Sequence, residues 1–153
     1  MQIVSEKKKI ILLMLFFVYI LVVLNLTIFR FGFQYDDRQL NLMLFTKLIS
    51  IYRNAGVSEF LRLFLGNIGW FFPFGFLLPV IMKKKSFFAV IVFGFIFSII
   101  IETIQFFTRK GVAELDDVIL NTLGVVIGYL SYKIVYRIKV YWESISMQKN
   151  SPR

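Results

Sequence analysis

The sequence predicts an all-α polytopic membrane protein with four transmembrane helices, and three observations carry that prediction. Of 153 residues, 58% are apolar and 18% aromatic, including 19 phenylalanines. That is more hydrocarbon-seeking surface than one small water-soluble core can hide. Four apolar runs occupy much of the chain, and each is long enough at ~1.5 Å per residue to cross roughly 30 Å of hydrocarbon, with allowance for tilt and end effects. The length fits a single membrane domain spanning residues 1–153.

The first run, residues 10–29, carries no charge and follows Lys7, Lys8 and Lys9. A basic segment before an apolar stretch also describes a signal peptide. This run is too long for an h-region, however, and Phe31, Gly32, Phe33 and Gln34 offer no small-x-small cleavage site, so it reads as a retained anchor. In the following loop Leu42, Phe45, Ile49 and Tyr52 recur at i, i+3, i+7 and i+10, while Asn41, Lys47, Ser50 and Arg53 are polar. The pattern suits a short amphipathic helix that lies in the interface or re-enters it, or else a loop segment resting on lipid.

The second span is expected at about residues 61–82, with Arg62 reaching toward the headgroups on its long stem. Its GNIGWFFPFG run puts Gly66, Gly69 and Pro73 along one side. Pro73 has no amide hydrogen for the Gly69 carbonyl, which predicts a bend there. The third span, residues 87–107, is interrupted only by Glu102 and Gln105. The fourth, about residues 118–136, has Asn121 near its start and Lys133 near its end. Asp117, Asn121, Gly124 and Gly128 fall at i, i+4, i+7 and i+11, one stripe that is polar at the top and glycine below. Gly124 and Gly128 form a GxxxG pair suited to close helix approach.

Orientation follows from lysine and arginine. With the N-terminus inside, eleven of the 18 basic residues are cytoplasmic, in clusters such as Lys83, Lys84 and Lys85, and seven lie outside, many spread through the long first loop. Both termini are therefore expected in the cytoplasm, in a multi-pass plasma-membrane protein. The net charge of +9 points to anionic lipid headgroups. No nucleic-acid motif accompanies it, so no nucleic-acid partner is expected.

The chain has no cysteine and no histidine. This removes thiol nucleophiles, disulfides, histidine-containing zinc sites and Ser-His-Asp triads, and no metal or cofactor is expected. In the predicted topology Asn25, Asn67, Glu102, Gln105, Asp117 and Asn121 all fall in the outer half of the bilayer. Polar groups at that depth are costly and mark functional sites. Glu102, Gln105 and Arg109 at i, i+3 and i+7 are expected on one face of the third helix, with the guanidinium two turns above the carboxylate. Asn67, Glu102, Gln105, Arg109, Asp117 and Asn121 are accordingly the candidate lining of one outward-facing polar pocket, roofed by the first loop. Buried Asn and Gln also link helices by hydrogen bonds worth roughly 0.6 kcal/mol each, a reading that suits Asn25 well. Gly66, Gly69, Pro73, Gly124 and Gly128 are expected to serve helix packing.

Four motifs in order carry a family resemblance: RxxNL (Arg38, Asn41, Leu42), N-x(5)-P-x-G (Asn67, Pro73, Gly75), ExxQ (Glu102, Gln105) and D-V-x-x-N-T-x-G (Asp117, Val118, Asn121, Thr122, Gly124). Over residues 38–128 the sequence resembles the VanZ-like family of membrane proteins. It departs at Leu44, where the family pattern resembles NLxPF. The resemblance implies a role in resistance to teicoplanin-type lipoglycopeptides and adds Arg38 and Asn41 as loop contributors to the site. The expected partners are membrane lipids, a lipoglycopeptide or a lipid-linked cell-wall precursor, and a homo-oligomer is compatible with the chain. Two alternatives stand beside a binding protein. One is an intramembrane hydrolase or transferase using Glu102 and Asp117 as a carboxylate pair, against which no activated nucleophile or metal motif is legible. The other is a small lipid or drug transporter, for which four helices without an internal repeat are few.

Overall fold

The computed structural model describes residues 6–28, 34–82 and 86–149. Arg30, the lysines at 83–85 and Arg153, all used in the orientation argument, lie outside the described residues. The elements are α1 (Glu6–Ile28), β1 (Gln39–Asn41), α2 (Thr46–Ile81), α3 (Phe87–Thr108), β2 (Val112–Glu114) and α4 (Leu115–Lys149). All four helices are long and apolar enough to cross a membrane, as the apolar runs predict.

α2 contains both the predicted loop helix and the second span. Its dihedrals leave the helical region at Gly56 (φ 85°, ψ 176°), a conformation glycine adopts without a Cβ clash. The break therefore falls at Gly56, while the helix continues through Pro73 and Pro79 with helical dihedrals. On the loop helix Ile49 and Tyr52 are exposed, while Leu48 is buried. The apolar face read from the sequence is thus turned outward, and the side chains next to it face the bundle.

α4 is much longer than its apolar run, because no glycine or proline interrupts residues 129–149 and helix propensity carries it onward. Its 35 residues span roughly 52 Å, well beyond a hydrocarbon core of about 30 Å, so one end projects past the apolar layer.

α2 and α4 make the closest helix pair, and glycines explain it. A Cβ at Gly124 would collide with the Ile68 carbonyl, one at Gly128 with the Phe72 carbonyl, and one at Gly75 with the Val125 carbonyl. Val125, fully buried, also fills the space left by Gly94 on α3. Gly66 and Gly69 meet nothing within 4 Å, so the packing role expected for them is not found. The GxxxG pair and Gly75 do that work. Around this contact Val23, Phe71, Phe74, Val90, Ile101, Val125 and Tyr129 form the core. α1 sits more loosely, with Val23 buried and its Tyr19 hydroxyl donating to the Trp70 carbonyl.

The two short strands are parallel, pairing Gln39 with Val112, Leu40 with Ala113 and Asn41 with Glu114. They join the first loop to the α3–α4 connection. The pairing was not legible in the sequence, since three-residue strands carry too little alternation to register.

Candidate functional site

Three acidic residues crowd the start of α4: Glu114 just before it, then Asp116 and Asp117 in its first turn. Carboxylates belong there, because the free amides and the helix dipole make a helix N-terminus locally positive. Their partners separate them. Both carboxylate oxygens of Asp116 accept the Phe45 amide, at 2.9 and 3.0 Å. Phe45 has φ 59°, a left-handed conformation costly for a residue with a Cβ, and Asp116 holds it at the point where α2 begins. The Asn41 Oδ1 accepts the Met43 amide at 3.1 Å, so the turn is built without a proline at position 44. Asp117 instead accepts from the Asn67 side chain at 2.5 Å, joining α4 to α2. Of the two adjacent aspartates, Asp116 shapes the loop and Asp117 crosses between helices.

Glu102 is buried, 7% exposed, and accepts the Glu114 amide at 2.9 Å. Gln105 donates to the Thr27 carbonyl of α1 at 2.9 Å, and Asn121 to the Ser98 hydroxyl of α3 at 2.9 Å. The Gln105 side-chain oxygen is buried with no hydrogen-bond partner among the described residues, a position that costs free energy until a donor reaches it.

These groups surround a cavity of about 570 Å³. Asn67, Glu102, Gln105, Asp117 and Asn121, five of the six residues singled out in the sequence, line it together. Thr27 closes it from α1, and Lys47 and Leu48 close it from the loop helix. That helix borders the pocket.

Three expected contributors are placed elsewhere. Arg109 is the C-cap of α3 with φ 57°, and that left-handed turn carries it off the face shared by Glu102 and Gln105. Its guanidinium donates to the Asp36 carbonyl at 2.8 Å. Arg38 lies against the rings of Phe107 and Phe106, 5.3 and 5.8 Å from their centroids, and Asn41 is occupied in its turn. Asn25 is exposed on α1 and does not line the cavity.

The cation expected from Arg109 comes instead from Lys47, whose ammonium pairs with Glu114. Lys47 is also within electrostatic reach of Glu102 and Asp117. Arg62, Lys110 and Trp70 line the cavity as well. The signal for Lys47 was present in the amphipathic pattern of the first loop, but periodicity does not say which distant acid a loop lysine will meet. Chemically, the cavity offers carboxylates, amides and ammonium groups in a partly enclosed space, suited to a polar group carrying both donors and acceptors. Among the described residues no three acidic side chains are arranged to hold a metal ion.

Comparison with known proteins agrees with the ordered motifs. Residues 16–136 match the family described as VanZ/LLP1. The protein named Protein VanZ from Enterococcus faecium is 35% identical over 102 residues, which is 67% of this chain and 55% of that protein, so the match spans about half of the relative's length. No solved structure matches. The matched region takes in most of α1, the loop helix, the glycine-packed α2–α4 pair and every residue that lines the cavity, and the chain belongs to the VanZ/LLP1 family.

Proposed function

We propose that this protein acts at the outer face of the plasma membrane, with both termini in the cytoplasm, by binding the polar part of a lipid-tailed ligand in the cavity between α1, α2, α3 and α4. The ligand is a teicoplanin-type lipoglycopeptide or a lipid-linked cell-wall precursor, and binding contributes to resistance to those antibiotics. The observation that carries the reading is the convergence of Asn67, Glu102, Gln105, Asp117 and Asn121 on one cavity within helices apolar enough to span a membrane. Intramembrane polar residues are expensive and gather at substrate pathways. A cavity of that size accepts a sugar or short peptide unit, and such pockets are typically largely preformed, with a few placed polar groups.

The test is resistance to teicoplanin in cells expressing Asn67→Ala, Gln105→Ala and Asp117→Ala, with membrane insertion checked for each. Resistance should fall in all three while Arg109→Ala behaves as the parent. Full resistance in three correctly inserted cavity variants would sink the reading. Because the chain has no cysteine, a single cysteine placed near Lys8 reports orientation without background. Labelling of that cysteine from outside intact cells would reverse the topology.

A further inference from the structure

A second space adjoins the cavity and differs from it in chemistry. It is a groove of about 280 Å³ between the ends of α3 and α4, floored by Ile99, Thr103 and Val118 and edged by Leu40 and Phe107. Leu40 and Phe107 are exposed, so the groove opens at the surface of the bundle. Its inner wall is the Glu102–Glu114 contact, and both residues also line the polar cavity. A ligand passing this wall would have apolar surroundings on one side and carboxylates and amides on the other. On the polar side Asp117, Asn67 and Asn121 line the cavity with carboxylate and amide groups that can accept from a hydroxyl or an amine.

We propose that this groove is a hydrocarbon-chain subsite, holding the tail of an amphiphile whose hydroxyl- or amine-bearing head occupies the polar cavity. The proposal deepens the reading above and rests on it for the role of the cavity. A groove of about 280 Å³ lined by Ile99, Phe106, Phe107 and Val118 has room for a segment of one hydrocarbon chain. Chain burial is not the driving force here. Lipid tails are as apolar as the groove walls, so the groove contributes through packing and position, and the head supplies the discrimination. The physical consequence is a ligand that is captured from the leaflet with its tail still in apolar surroundings.

The experiment uses the full-length protein in lipid nanodiscs and an alkyl glycoside carrying a photoreactive diazirine in mid-chain, with labelled residues mapped by mass spectrometry. Labelling at Ile99, Thr103 and Phe107 is expected to saturate with probe concentration. Labelling at Phe93 and Ile96, exposed on the same helix, should rise in proportion to it. Thr103→Trp fills the groove from an exposed position and should cut the saturable component roughly tenfold. Gln105→Leu, at a residue that lines the cavity and not the groove, should reduce it as well.

Labelling of the groove that rises linearly like the lipid-facing residues, or that is indifferent to both variants, would overturn the proposal. A parallel binding measurement with a teicoplanin-type lipoglycopeptide and its chain-free form keeps the two claims apart. Binding of the chain-free form with no saturable groove labelling removes the groove and leaves the cavity. Saturable groove labelling without glycopeptide binding supports the groove and removes the drug.

Discussion

Replacing Lys47 with Met tests the claim that a loop lysine, and not Arg109, neutralises the acidic cluster. Glu114 is the sensitive partner, with its side chain 3% exposed against 43% for Lys47. Removing the cation leaves a buried carboxylate beside Glu102 and Asp117. Breaking a fully buried pair costs about 3–5 kcal/mol and an exposed one about 0–1 kcal/mol. With one partner buried and the other half in water, the expected loss is about 2–3 kcal/mol, equivalent to a fall of roughly 5–10 °C in apparent Tm for a chain of this size.

The assay is thermal unfolding in lipid-detergent micelles of Lys47→Met, Glu114→Gln and the double variant. Because the Glu114→Gln change removes the charge that Lys47 was answering, the double variant should be more stable than the sum of the singles by about 1–2 kcal/mol. Additive losses, or a Lys47→Met protein as stable as the parent, would refute the pairing as the reason Glu114 tolerates burial.

Two further outcomes follow from the packing and the loop. Gly75→Ala, Gly124→Ala and Gly128→Ala should each destabilise by about 1–3 kcal/mol by forcing α2 and α4 apart, whereas Gly66→Ala and Gly69→Ala, which meet open space, should be neutral or slightly stabilising in the same melting assay, since alanine is the better helix former. Asp116→Ala should cost about 1–2 kcal/mol by releasing the Phe45 amide at the start of α2, seen as faster amide hydrogen exchange confined to the loop helix while the remaining spans keep their protection.

Much of this architecture was legible because a membrane imposes strong rules on a sequence. Charge-free runs marked the spans, and the polar residues inside them marked five of the cavity-lining side chains. Helix spacing succeeded for Asp117 and Asn121, which lie a turn apart on continuous helix. The same spacing misplaced Arg109, because it extrapolated a helix that ends at Thr108. Gly66 and Gly69 looked like packing glycines on equal grounds with Gly124 and Gly128. Only the partner surface distinguishes them: α4 backs against the Gly75 side of α2, while Gly66 borders the cavity. Pro73 illustrates a different limit. A missing amide hydrogen permits a bend, yet here the helical dihedrals continue through Pro73 and the break falls at a glycine seventeen residues earlier, at Gly56.

The sequence by itself determined that the chain crosses a membrane four times and that its costly polar groups sit near one end of the third and fourth spans. Solvation in hydrocarbon makes both statements local properties of each segment. The tertiary structure alone decided that Lys47 answers Glu114 from 67 residues away, that Asp116 and Asp117 take separate tasks, and that Glu102 stands between a polar cavity and an apolar groove. Those outcomes depend on which helix faces meet, and the glycine contacts that bring α2 against α4 are properties of two surfaces together.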